Sequence, residues 1–137
     1  NVPAVAAWGE ACKVMESEKT AVRATIEEIN RQMRRGLLAL GAEINSPDGA
    51  SPYVLNVAFR GILAENILHY LSKREIYVST GSACSAKKPS RVMTAIGKGD
   101  LSRYALRFSF SRYNTVNEAD TVLQALADAI QEITPVR

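Results

Sequence analysis

Histidine, tryptophan and cysteine are scarce in this chain: His69, Trp8, Cys12 and Cys84 are all it has across 137 residues. Two cysteines cannot staple a small secreted domain into a disulfide framework. One histidine and two cysteines show no recognisable ligand spacing, so a metal site built from Cys12, His69 and Cys84 is not expected. His69 falls beside apolar helical positions, and Cys12 beside Ala11 in a helical pattern; both read as structural. No apolar run approaches the length of a membrane-spanning helix. Asn1 to Trp8 lacks the basic region and apolar core of a secretory signal. Internal repeats, low-complexity tracts and interdomain linkers are missing. The net charge of +3 and pI near 9.0 are only mildly basic. Arg31, Arg34 and Arg35 cluster, but no stripe interleaves basic and aromatic residues, which argues against nucleic acid as a partner. A solvated helix face accounts for them.

With 47% hydrophobic and 23% charged residues, the chain is composed to bury one ordinary core. Residues 3 to 40 read as one long helix, with a break near Ser17 or Thr20 as an alternative. Pro3 suits a first turn. Val22, Ile26, Ile29, Met33, Leu37 and Leu40 recur at spacings of three and four, and Gly41 is a C-terminal stop. Ala42 to Asn45 reads as a short strand, Ser46-Pro47-Asp48-Gly49 as a turn, and Tyr53 to Phe59 as a half-buried strand. Ala64 to Leu71 reads as a helix and Ile76 to Val78 as a strand. Pro89 to Ile96 reads as a helix with Val92, Met93 and Ile96 inward. Ala105 to Ser111 alternates cleanly, with Leu106, Phe108 and Phe110 on one side and Ala105, Arg107, Ser109 and Ser111 on the other. Thr115 and Glu118 have capping-box spacing before a last helix running to about Ile133. The expected fold class is α+β: a small, three- or four-stranded, mostly antiparallel sheet with helices on one face and a long N-terminal helix.

The chemistry centres on Ser79-Thr80-Gly81-Ser82-Ala83-Cys84-Ser85-Ala86-Lys87-Lys88. Small, polar residues surround Cys84, and Lys87, Lys88 and Arg91 follow. Nearby cations lower a thiol's pKa and raise its thiolate fraction. Free cysteines are also among the most buried residues and act as small hydrophobes, so the local sequence leaves both readings open. A reactive thiol would favour a reducing compartment.

VSTGSACS resembles the cysteine-loop motif of the cysteine desulfurases, in their NifS/IscS-like branch. Ala105-Leu106-Arg107-Phe108-Ser109-Phe110-Ser111-Arg112-Tyr113-Asn114-Thr115 resembles the second C-terminal signature of that family. Asn1-Val2-Pro3-Ala4 resembles the end of a TENVPA segment that opens the family's C-terminal portion. The three likenesses fall in order and span nearly the whole chain. One departure is Ile62-Leu63-Ala64-Glu65, where the family often shows a Gly-Glu pair.

The resemblance implies a fold-type I enzyme that uses pyridoxal 5'-phosphate to take sulfur from L-cysteine, leaving L-alanine and a protein persulfide. Cys84 matches the nucleophile and persulfide carrier, and Arg107 the arginine that holds the substrate carboxylate. Arg112 is the alternative anchor, and an exposed ion pair the alternative role for Arg107. Ser82 and Ser85 are assigned loop-shaping roles only. The family's cofactor lysine lies in a large domain, and none of Lys13, Lys19, Lys73, Lys87, Lys88 or Lys98 sits in a matching motif. The chain is therefore expected to be a single C-terminal small domain, spanning residues 1–137 of a larger cytoplasmic enzyme. It is expected to carry no cofactor-binding residues, to bind no pyridoxal phosphate and to be inactive alone. The parent is expected to be a homodimer that passes sulfur to an acceptor or iron–sulfur scaffold protein. The rival readings are a class V aminotransferase-like lyase acting on selenocysteine or another amino acid, and a non-catalytic module that docks acceptors.

Overall fold

The structure, a computed structural model, describes residues 1–81 and 90–133. Helix α1 runs unbroken over Val2–Ala39, about 57 Å at 1.5 Å per residue. Asn1 opens it by accepting a hydrogen bond from the Ala4 amide at 3.2 Å. Gly41 closes it with φ of +81°, which lets the Ala42 amide reach back to the Leu37 carbonyl at 2.9 Å. Ile26, Ile29, Met33 and Leu37 are buried. The first half of the helix is different: Val2, Val5, Trp8 and Met15 stand in solvent.

Four strands follow: β1 (Glu43–Ile44), β2 (Val54–Ala58), β3 (Ser79–Thr80) and β4 (Ala105–Ser109). They form one antiparallel sheet in the order β1-β2-β4-β3. Leu55, Val57, Leu106 and Phe108 share one face and are buried under α1, α2 (Ala64–Ser72) and α4 (Val116–Glu132). Ile67, Leu71, Leu126 and Ala119 complete this core. α1 and α4 approach closely at Gly36, where a Cβ would overlap the Leu123 side chain. The capping box forms as read: Thr115 Oγ1 accepts from the Glu118 amide, and the Glu118 carboxylate accepts from the Thr115 amide at 2.6 Å. The α+β class, the antiparallel sheet and the long first helix match the reading of the sequence.

Two elements differ from it. Ile76 to Val78 is not a strand. The chain leaves α2 through Glu75, whose φ is +61°, and the Ile76 amide bonds back to the Leu71 carbonyl. The first residues able to pair with β4 are Ser79 and Thr80, and Tyr77 points into solvent. The helix expected over Pro89 to Ile96 shortens to α3 (Arg91–Ala95), with Ser90 as its N-cap; Pro89 lies outside the described residues. Only Met93 of its apolar residues is buried, whereas Val92 and Ile96 are exposed. Met93 packs with Leu101, Ala58 and Ala105 in a small second cluster on the opposite face of the sheet. A 3-10 turn over Gly99–Tyr104 supplies Leu101. Cys12 and His69 are both exposed, so neither has the structural role read for it.

Candidate active site

Strict alternation along a strand puts every second side chain on one face. With the four strands in register, the face opposite the core is therefore ordered in transverse rows. One row is Ala58 and Ala105, roofed by Met93 and Leu101. The next row is polar from edge to edge. Asn56 of β2 stands opposite Arg107 of β4, and Arg107 stands opposite Ser79 of β3. Asn45 extends β1 by one residue, its amide donating to the Asn56 carbonyl at 2.8 Å. The row thus reads Asn45, Asn56, Arg107, Ser79.

Arg107 is exposed on this face, and among the described residues no carboxylate pairs with it. This removes the bland role of a surface ion pair with any described residue. Arg112, the alternative anchor, is engaged elsewhere: it bridges to Glu18 of α1 at 2.9 Å. A guanidinium standing clear on a sheet face is suited to a planar carboxylate, which it can hold with two parallel hydrogen bonds. Cys84 lies outside the described residues, as do Ser82 and Ser85.

The Asn45 end of the row is firmly held. Lys98 Nζ donates to the Ile44 carbonyl at 3.2 Å and to Asn45 Oδ1 at 3.1 Å, and it bridges Glu43 at 3.2 Å. The three donors of its ammonium group are thereby used. Lys98, and after it Arg60, holds the Glu43 carboxyl below the usual carboxylate range. Arg60 also bridges Asp100 at 3.0 Å, tying the 3-10 turn to β1. Behind the row, Arg34 of α1 donates to the Ser46 carbonyl at 3.1 Å, and Asn30 donates to the Pro52 carbonyl at 2.9 Å. The loop between β1 and β2 is fixed to the long helix in this way.

A cavity of about 440 Å³ opens beside the segment from Arg74 to Val78 that precedes β3, over Ile29, Met33, Phe108, Phe110 and Val122. Of its charged residues, Glu118 caps α4, and Arg74 donates to the Tyr70 hydroxyl at 2.7 Å and stacks on its ring. Among the described residues no group of His, Cys, Asp and Glu is gathered to hold a metal, and no helix is long and apolar enough to cross a membrane.

Residues 1–122 match the aminotransferase class-V family, and the chain belongs to it. Over 142 residues it is 35% identical to a mitochondrial cysteine desulfurase of Saccharomyces cerevisiae, covering 98% of this chain and 28% of that protein. It is 32% identical to the cysteine desulfurase IscS of Methanosarcina thermophila, covering 97% of this chain and 34% of that one. A solved NifS-like protein superposes with a TM-score of 0.86 at 28% identity, over 97% of this chain and 34% of its own. The chain thus spans about a third of the length of the relatives it matches.

The family implies pyridoxal phosphate, which needs a lysine for its aldehyde and a cradle for its phosphate. The described lysines do not fit that need. Lys13 and Lys19 pair with Glu10 and Glu16 along exposed α1, Lys73 ends α2 in solvent, and Lys98 is saturated. Strand alternation had put Arg107 on the outward face, where it stands; the Lys98–Asn45–Asn56 hydrogen bonds beside it were not anticipated. The available signal was Asn56 itself, a carboxamide inside the apolar run Tyr53 to Phe59.

Proposed function

We propose that this chain is the C-terminal small domain of a cysteine desulfurase that removes sulfur from L-cysteine to give L-alanine and a persulfide on Cys84. The observation that carries this is Arg107, free of described carboxylates on the open sheet face and paired in register with Ser79. Cys84 is five residues past Ser79 (84 − 79). At no more than about 3.6 Å per residue, the Cys84 Cα is tethered within about 18 Å of the Ser79 Cα. The likeness to named desulfurases over 97–98% of this chain supports the same reading.

In this reading Arg107 clamps the substrate carboxylate. Pyridoxal phosphate, held by the rest of the parent, supplies the electron sink. The Cys84 thiolate forms a bond to the substrate sulfur. The carbon–sulfur bond breaks, its electron pair stays with the β-carbon, and a proton taken up there completes alanine. Lys87, Lys88 and Arg91 favour the thiolate through their charge. The persulfide then passes to an acceptor protein for iron–sulfur clusters or thiolated products. The parent is a homodimer, an assignment that rests on family likeness. A reducing, cytoplasmic compartment suits a thiol carrier and an exposed, unpaired Cys12.

The test compares the full-length, cofactor-loaded protein with its Cys84→Ala variant. Loss of sulfide and persulfide delivery from L-cysteine is expected. Delivery at the parental rate would overturn the assignment.

A further inference from the structure

We infer that Asn56 is a second donor to the substrate carboxylate beside Arg107, oriented for that task by a polar relay that begins at Lys98. The inference rests on the desulfurase reading above and adds a residue to it. Lys98 is a donor only, because an ammonium group has no lone pair to accept with. It therefore requires the oxygen of the Asn45 carboxamide, and it takes Oδ1 at 3.1 Å. That turns Asn45 Nδ2 toward Asn56, where it donates to Oδ1 at 2.9 Å. Asn56 is left with its Nδ2 as the unused end of the amide, and among the described residues nothing accepts from it. A cation at one edge of the sheet thus dictates a donor at the centre.

Placement completes the case. Asn56 and Arg107 are directly opposed across β2 and β4, so their Cβ atoms lie roughly 4.5–5.5 Å apart on one face. A carboxylate has two oxygens and accepts from two such neighbours at once. The Asn56 backbone is pinned as well: its amide donates to Ser46 Oγ at 2.9 Å, and its carbonyl accepts from the Asn45 and Ser46 amides. Asn45 is buried and fully engaged. A network this complete around a half-exposed amide holds one donor in a fixed direction, which is what recognition of an anion uses.

The test uses the full-length, cofactor-loaded protein and an equilibrium reading, the change in cofactor absorbance on titration. The probes are L-alanine and ethylamine, which is alanine without its carboxylate. Asn56→Ala is expected to weaken L-alanine about tenfold, the size of one charge-assisted hydrogen bond, and to leave ethylamine unchanged. Asn56→Asp, which keeps the shape and the acceptor toward Asn45, is expected to weaken L-alanine further. Lys98→Met is expected to give a smaller loss in the same direction by releasing the Asn45 amide. If Asn56→Ala and Asn56→Asp leave the ratio of the two affinities unchanged while Arg107→Ala lowers it, the inference is overturned and the Arg107 reading stands. If none of the three changes the ratio, both fall. An equal loss for both probes in the Asn56 variants also overturns the inference, since that marks a structural residue.

Discussion

The two faces of the sheet are made by the same strands and obey different rules. On the core face Leu55, Val57, Leu106 and Phe108 are buried against three helices, and any side chain of suitable volume and apolar character would serve. On the opposite face the rows are specific in chemistry: two alanines under a small roof, then Asn45, Asn56, Arg107 and Ser79 in line. The comparison separates what holds the domain together from what it presents. Leu106 and Arg107 are neighbours in sequence, yet changing one should cost stability and changing the other should cost recognition.

The largest break in that division comes from the thiol. Replacing Cys84 with alanine in the full-length protein should reduce sulfur delivery at least about a thousandfold, on the scale of losing a covalent catalyst, while urea unfolding stays unchanged. Leu106→Ala should do the reverse. Removing a fully buried leucine costs about 2–5 kcal/mol, read as a lowered urea midpoint for the chain. Arg107→Lys sharpens the comparison further: it keeps the charge and loses the fork, so KM for L-cysteine should rise about tenfold with no shift in the urea midpoint.

A smaller effect sits at the start of α4. The Thr115 amide, foremost, with Asn114 and the Thr115 hydroxyl adding to it, lowers the Glu118 pKa. A carboxylate whose folded pKa is depressed adds stability above its unfolded pKa, and that stability is lost as pH falls through the folded one. Thr115→Ala removes the hydroxyl that accepts from the Glu118 amide but keeps its own amide, and should cost about 1 kcal/mol with little change across pH. The pH dependence belongs to the carboxylate: the stability gap between a Glu118→Ala variant and the parent should narrow on acidification below the ordinary glutamate range, as followed by urea unfolding across pH. The least effect is expected at Trp8, which is 72% exposed. In this chain Trp8→Ala should change the unfolding free energy, read from urea titration, by less than about 0.5 kcal/mol.

Where periodicity was long, the sequence could be read closely. The α1 stripe from Val22 to Leu40, the β4 alternation and the Thr115–Glu118 cap all form, because each is set by local spacing and local hydrogen bonds. Short elements were legible only in part. α3 has too few residues for a helical period to tell Met93 from Val92 and Ile96; the choice is made by the distant Ala58 and Ala105. Those alanines themselves read as outward positions until the roof above them is known. Ile76 to Val78 has strand composition, but the tight exit from α2 through Glu75 delays pairing until Ser79. At the candidate site, strand alternation made the outward placement of Arg107 legible, and its proposed role comes from motif likeness. The relay was not, because Lys98, Asn45 and Asn56 come together only through register between strands far apart in sequence.

The most direct test of the central claim is to locate the sulfur. After turnover of L-cysteine by the full-length protein, peptide mass mapping should find one added sulfur atom on the peptide containing Cys84 and none on that containing Cys12. Sulfur on Cys12, or on no cysteine of this chain, would contradict the account.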